Sequence, residues 1–338
     1  MMTIQDIANE AGVAKSTVSR MINGSGYVSQ DAAERIQRVM DKYHYLPSAT
    51  ARSLSKKESE TIGLILPEIN NPFFSGILSG VSKMVEEYGY TLMLGSSDND
   101  PDKDIKAIRA MNRQRVRGLL YVPACDYDDQ DQFTVLSQEL TQLSCPVVLL
   151  DRVVDRLSFD SVQTDNFGGA FECTQALIQA GHKRIGIVAG DMRLSIARER
   201  YDGFVQALER SRLRLYKEDI IYGNFDRQIA YERVKDLLSR PDYPKAFFVC
   251  NNLSEAGFLK AVYERGLRIP EEIAFTSFDQ ISNQDVLALP FTYLERNIQE
   301  MGEQGAKLLF RRLDKPAKQK ECLIIPSRVI LKGSEKKI

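Results

Sequence analysis

Ala14-Lys15-Ser16-Thr17-Val18-Ser19-Arg20-Met21-Ile22-Asn23 reads as a short helix with two unlike faces. Val18, Met21 and Ile22 recur at helical spacing as an apolar stripe. Lys15, Ser16, Thr17 and Arg20 share the opposite, polar side. Upstream, Thr3 can cap a first helix, with Asp6 in the place of a capping-box acid. Ile4, Ile7, Ala8 and Ala11 give that helix an apolar face. Gly12 can end it, because glycine adopts a left-handed backbone without steric cost. Two short helices about a glycine turn make a helix-turn-helix, whose second helix lies in the major groove of DNA. Ser29 can cap a third helix, in which Ala32, Ala33, Ile36, Val39 and Met40 would close a small core.

Residues near the start of a recognition helix reach base edges first, which makes Lys15 and Ser16 the candidates for choosing the sequence. Arg20 could pair two-pronged with a guanine. Thr17, Ser19, Asn23 and Ser29 are short donors suited to phosphate oxygens, which fix register without reading sequence. The plain alternative is a solvated face on a small helical domain. Residues 1–58 hold eight Lys/Arg and six Asp/Glu, a net of +2. Phosphate neutralisation supplies most non-specific affinity. So weakly basic a head implies a dimer on a two-fold operator.

Leu46-Pro47-Ser48-Ala49-Thr50-Ala51-Arg52-Ser53-Leu54 follows as a hinge. Pro47 suits the start of a helix, and one to two turns of helix are marginal alone in water. The natural partner is the twin segment across a dimer axis, with Ala49 and Ala51 allowing close approach. Leu54 is then a wedge for a minor-groove base step. A plain linker with Leu54 packed on the core fits the spacing equally well.

The whole chain has 338 residues, enough for more than one domain, and a net charge of −1. The part after the head therefore does not look like a nucleic-acid surface. No basic-then-apolar leader and no apolar run of ~18 residues is present, so a cytosolic protein with no membrane partner, nucleoid-associated when on its operator, is expected. Cys125, Cys145, Cys173, Cys250 and Cys322 show no C-x-x-C spacing and read as thiols in a reducing compartment. The chain has two histidines and no Walker, G-x-S-x-G or H-E-x-x-H motif. Neither a catalytic residue nor a metal ligand or cofactor is assigned, and an enzyme is not expected.

From Thr61 onward short apolar strands alternate with amphipathic helices, the pattern of parallel sheets covered on both faces. The strands are too many for one such sheet, and the run divides near Asp160–Thr164. The fold class is therefore an all-α helix-turn-helix head followed by an α/β core of two doubly wound parallel-sheet subdomains facing across a cleft. The expected boundaries are 1–46 for the head, 47–59 for the hinge and 60–338 for the core. Within the core the first subdomain takes about 60–162 and 292–325, and the second about 163–291 and 326–338. Ligands in such sheets bind beyond the carboxyl ends of strands. That rule selects Glu68–Phe74, Asp151-Arg152, Asp191–Arg200, Asn251-Asn252 and Asp279, with Phe225 nearby. Carboxylates, amides and guanidinium groups suit vicinal hydroxyls, and an aromatic face suits a sugar ring. For Asp151 and Asp165 pocket contact competes with strand-end capping, and for Phe225 a pocket wall competes with core burial.

Thr3-Ile4-x-Asp6-Ile7-Ala8, Ala11-Gly12-Val13, Thr17-Val18-Ser19-Arg20, Asn23, Tyr45-x-Pro47 and Ala51-Arg52-Ser53-Leu54 resemble the LacI/GalR family of bacterial transcription regulators. The resemblance continues to about residue 331. It implies a periplasmic-binding-protein-like core, a hinge helix that folds on the operator, and Leu54 as its minor-groove lever. Ala14 departs from the serine the family often carries as a cap, a group worth ~1 kcal/mol. The resemblance also implies effector contacts at Asn71, Phe73 and Phe74 (in Asn71-Pro72-Phe73-Phe74), at Arg200, at Asn251 and at Asp279; Asp151 and Phe225 complete the candidate set. Gly181-His182 matches a structural element. The function expected is a homodimeric repressor controlled by a small sugar, or by a sugar phosphate given the arginines at 193 and 198. The alternatives are a catabolite-control regulator with a phosphoprotein corepressor, and a sugar-binding receptor.

Overall fold

The computed structural model describes residues 2–23, 25–45, 59–317 and 319–338. The chain forms two compact units, Met1–Glu60 and Thr61–Ile338. The hinge expectations for Ala51 and Leu54 lie outside the described residues.

The first unit holds α1 (Ile4–Ala11), α2 (Lys15–Asn23) and α3 (Gln30–Lys42). Thr3 closes the expected capping box: its hydroxyl oxygen accepts from the Asp6 N–H, and the Asp6 carboxylate accepts from the Thr3 N–H at 2.9 Å. Gly12 ends α1 with φ +64°. Ile7, Val18 and Ile36, all fully buried, centre a small apolar core. Arg35 of α3 donates to the Ala11 carbonyl at 3.2 Å, where the negative end of the α1 dipole favours a cation.

In the second unit the chain runs β1 (Thr61–Leu66), α4 (Pro72–Glu87), β2 (Thr91–Ser96), α5 (Pro101–Arg113), β3 (Gly118–Tyr121), α6 (Gln130–Thr141), β4 (Val147–Leu150) and β5 (Asp160–Thr164). It continues with α7 (Asn166–Gln179), β6 (Ile185–Ala189), α8 (Ser195–Arg210), β7 (Ile220–Tyr222), α9 (Arg227–Leu238), β8 (Ala246–Val249), α10 (Asn252–Glu264), β9 (Ala274–Ser277) and β10 (Thr292–Arg296). Then come α11 (Ile298–Asp314), β11 (Cys322–Ile325) and β12 (Ser327–Ile330). One six-stranded sheet has the order β11-β5-β4-β3-β1-β2, all neighbours parallel. The other has the order β12-β10-β9-β8-β6-β7, parallel except for β12 against β10. Strands such as Val147–Leu150 and Ala246–Val249 are buried throughout, as sheets with helices on both faces require.

Two boundaries differ from the sequence reading. Residues 160–164 are a strand of the first sheet, so the chain crosses after Thr164 rather than at 163. Residues 292–296 pair with β9 in the second sheet, so the return comes at Asn297 rather than at 292. Both strands are short and half polar, which hides them from apolar periodicity; long-range pairing holds them. Asp160 accepts two bonds from Arg312 of α11, at 2.7 and 2.8 Å.

The returning helix fits because glycines let two backbones touch. A Cβ on Gly80 of α4 would lie 2.0 Å from the Gln299 carbonyl oxygen, and one on Gly302 of α11 would lie 2.3 Å from that of Ile77. Gly80→Ala should therefore destabilise the core by about 1–3 kcal/mol, read as a lower urea midpoint; an unchanged midpoint would contradict the contact.

Glu255 on α10 is fully buried, and burial pushes its carboxyl well above the ordinary glutamate value, an effect Ser277 only partly offsets. A raised folded value means that the group favours folding in acid and that this contribution fades as pH rises above ~4.3 toward the folded value. Glu255→Gln should gain stability over the parent chain at pH 8 and gain less at pH 5, measured by urea unfolding. An equal difference at both pH values would show that Glu255 is ionised in the fold.

Candidate functional site

On α2, Lys15, Ser16 and Arg20 are exposed, Thr17 and Ser19 are half-buried, and Val18 is fully buried in the head's core. One side of the helix thus holds the core while the other faces solvent. The Ala14 carbonyl accepts from the Thr17 and Val18 N–H groups at 2.9 and 3.3 Å, and its methyl side chain adds no cap. Ser29 caps α3 through an acceptor bond from the Ala32 N–H at 3.4 Å, which leaves its hydroxyl hydrogen for another partner. Asn23 ends α2, and its side chain lies outside the described residues. Two of the head's cations are engaged internally: Arg35 with Ala11 and Asp31, and Lys42 with Glu10 at 2.7 Å. Lys15 and Arg20 are therefore the cations of the polar α2 face.

In the second unit, a cavity of about 900 Å³ opens between the two sheets, at the carboxyl ends of their strands. Asn71, Phe73, Phe74, Asp151, Arg200, Phe225, Asn251 and Asp279 all line it. The sheet order explains the convergence. Helices leave to opposite faces between β1 and β3 and between β6 and β8, and ligand crevices form at such switch points.

At the base, Asp279 follows β9 and Arg200 projects from α8. Arg200 donates from Nε to Asn166 Oδ1 at 2.9 Å and from Nη1 to the Cys250 carbonyl at 2.6 Å. Its guanidinium lies 3.7 Å from the centre of the Phe278 ring. Burial, and then the neighbouring Arg296, lower its pKa to about 10. Burial alone would raise the Asp279 carboxyl, but Arg296 and Arg200 outweigh it and hold it below the ordinary carboxylate value. Asp279 accepts from the Asn252 N–H at 3.0 Å and from the Arg296 guanidinium. A fixed carboxylate beside a fixed guanidinium can take two adjacent hydroxyls, one as donor and one as acceptor.

Both asparagines also work locally. Asn71 Oδ1 caps α4 at Phe73 N (3.1 Å) and accepts from Asn252 Nδ2 across the cleft at 3.0 Å. Asn251 Oδ1 caps α10 at Ser254 N, 2.9 Å. Asp151 is 3% exposed, sits at φ +59°, and its Oδ1 has no hydrogen-bond partner among the described residues. Asp165 instead caps α7 at Gly168 N, 2.7 Å, and does not line the cavity. Phe225 both lines the cavity and packs on the second sheet's core. It holds φ +58°, and its ring occupies the space over Gly190, where a Cβ would lie 2.2 Å from the ring. Phe73 and Phe74 meet edge to face at 5.1 Å between ring centres. Gly181-His182 is structural: His182 Nε2 lies 3.0 Å from the Glu335 carbonyl oxygen.

The sequence reading missed Arg296, because its strand was taken for a crossing segment. It also missed Asp126, although the strand-end rule applied to β3 selects it. The arginines at 193 and 198, the grounds for expecting a sugar phosphate, are both paired. Arg193 pairs with Asp191 at 2.6 Å and Arg198 with Asp126 at 2.8 Å.

Residues 3–48 match the family model described as bacterial regulatory proteins, lacI family, and residues 59–333 match that of the periplasmic binding proteins and sugar binding domain of LacI family. The HTH-type transcriptional repressor PurR of Haemophilus influenzae (strain PittEE) is 32% identical over 341 residues, covering 100% of both chains. The structure of a transcriptional regulator CelR–cellobiose complex aligns with a TM-score of 0.73 at 27% identity, over 99% of this chain and 100% of that one. The Lac repressor dimer bound to operator and the anti-inducer ONPF shares the fold, with a TM-score of 0.84 at 23% identity, over 98% of this chain and 99% of that one. With both parts matched in order, the chain belongs to the LacI family of bacterial regulatory proteins: it is a DNA-binding transcriptional repressor with a helix-turn-helix head and a ligand-binding core.

Proposed function

We propose that this repressor acts as a homodimer on a two-fold operator and that a small carbohydrate in the cleft sets its operator affinity. The observation that carries the reading is the cleft itself: carboxylate, amide and guanidinium groups beside phenylalanine rings, in a cavity of about 900 Å³. That mixture suits a ring with hydroxyls on its edge and C–H groups on its faces. The matched domain is a sugar-binding one, and CelR holds cellobiose. The dimer is supported by the head's small positive charge and by the Lac repressor, which binds operator as a dimer. Lys15 and Ser16 are the proposed base readers, with Arg20 on a guanine and Thr17, Ser19, Asn23 and Ser29 on phosphates.

Ligand and operator are then coupled through the relative positions of the two sheets, and coupling between binding sites is reciprocal. A thermal-shift screen of sugars supplies the ligand. Saturating sugar should change operator affinity in a fluorescence-anisotropy titration, and saturating operator should change sugar affinity by the same factor. A bound sugar that leaves operator affinity untouched would overturn the switch.

Arg200→Ala should weaken the sugar by about 10- to 100-fold, the loss expected for a hydrogen bond to a charged group. Operator affinity in the absence of sugar should stay within the parent's range. Unaltered sugar affinity in calorimetry would remove Arg200 from the site.

A further inference from the structure

We infer that Asp126 fixes the charge class of the ligand: from the opposite wall it fills an anion-accepting corner at the edge of the cleft, behind the lining residues Leu194 and Ile196, so the cleft takes uncharged polyols and refuses phosphorylated ones. This rests on the reading of the cleft as a ligand site.

The corner is the start of α8. The first N–H groups of a helix have no partner within it, and the helix dipole makes that end a natural seat for phosphate. Leu194, at the cap position of α8, makes no side-chain capping bond. The acceptor comes from Asp126, in the loop after β3 of the other sheet. Its carboxylate accepts from the Ser195 N–H, from the Ser195 hydroxyl at 3.3 Å and from Arg198 Nη2 at 2.8 Å. A helix N–H, a hydroxyl and a guanidinium are a phosphate-binding set, and one internal carboxylate occupies all three.

Asp126 is held there firmly. Asp104, fully buried, accepts from the Ala124 N–H at 2.7 Å and the Tyr127 hydroxyl at 2.8 Å. Arg152 donates to the Pro123 and Ala124 carbonyls at 3.2 and 3.0 Å. The residues on both sides of Asp126 are thus fixed to the first sheet.

The rest of the cavity offers an anion little else. Eight carboxylates and four guanidiniums line it, with no lysine or histidine. Arg193 and Arg296 are already paired with Asp191 and Asp279. Arg152 is engaged by Asn99 and the Pro123 and Ala124 carbonyls. Arg200, bonded to Asn166 and the Cys250 carbonyl, stands among the charges of Asp279 and Asp151. Meanwhile Asp151 Oδ1, buried and without a partner among the described residues, needs a donor. An ionised carboxylate only accepts; a sugar hydroxyl answers it, and a phosphate oxygen repels it.

The test needs no knowledge of the sugar. Thermal unfolding of the full chain is followed in inorganic phosphate against potassium chloride at equal ionic strength. The parent chain should show no phosphate-specific rise. Asp126→Ser vacates the corner and should show a rise of about 2 °C or more, from binding to the folded state alone. Arg198→Ala added to it should abolish the rise. A parent chain stabilised by phosphate through Arg198, or a serine variant no more responsive than the parent, overturns the proposal. Should Asp126→Ser not fold, Asp126→Asn decides: it keeps an acceptor for the Ser195 N–H while freeing Arg198, and a response above the parent supports the proposal, whereas none overturns it. A sugar panel without a binder would defeat the carbohydrate reading and leave the phosphate result standing.

Discussion

The cleft depends on one buried charge pair, Arg296 with Asp279. The two side chains are 3% and 10% exposed; Arg296 ends β10, where the chain turns back to the first sheet, and Asp279 lies just beyond the end of the neighbouring β9. A buried ion pair of this kind adds little net stability, because desolvation offsets its attraction, but breaking it leaves a lone buried charge at a cost of several kcal/mol. Its value is therefore geometric. Arg296 also donates to Thr164 Oγ1 at 3.2 Å, the last residue of the first sheet before another crossing. One guanidinium thus pins two of the crossings between the sheets. From it a polar chain runs outward: Asp279 to the Asn252 N–H, and the Asn252 amide to Asn71 on the facing wall at 3.0 Å. These contacts from the crossing to the facing wall are polar, and the apolar contact beside them is small, Cys125 against Leu194 and Ile196. Hydrogen bonds can be exchanged for water at small net cost, whereas a dry apolar seam would resist parting.

The parts of this arrangement that were legible in the sequence are those written locally. Thr3, Asp6 and Gly12 lie within ten residues of one another, and cap, helix and turn follow from them. The strands at 62–66, 147–150, 185–189 and 246–249 are continuous apolar runs, because they are buried on both faces. Once those strands are placed, the strand-end rule brings eight residues, spread over more than 200 positions, to one cavity.

What stayed hidden is polar and held from far away. Residues 160–164 are mostly buried despite the composition Asp-Ser-Val-Gln-Thr; Arg312 and the Glu321 N–H, both more than 150 positions on, make the burial of Asp160 tolerable. The helix Gln130–Thr141 buries only Leu136, Glu139 and Leu140, too few for a clear period. Arg198 was misjudged for the same reason, whereas the partner of Arg193, Asp191, stands two residues away. The Arg198 charge is conspicuous in the sequence, but the carboxylate that pairs with it lies 72 residues away on the other sheet. Spacing along a chain reports what a residue could bind, and only the fold reports whether that partner is already taken.

Two kinds of contact now separate within the cleft. Asn71–Asn252 and Asp126–Ser195–Arg198 join the walls directly and need no ligand. Asp151, Arg200 and Asp279 face the cavity, where Asp151 Oδ1 has no partner among the described residues. A ligand shifts a two-state equilibrium by no more than its difference in affinity for the two states. On the proposed switch, the direct tethers bias the ligand-free core, and the cavity residues set how far a ligand can move it. Asp126 makes three bonds at the helix N-terminus, one of them to the charged Arg198, so its tether ranks above the neutral amide pair. On the same proposal, a ligand acts against a wall contact that the protein already makes for itself, which favours ligands that add bonds at Asp151 and Arg200 over those that compete at Ser195 and Arg198.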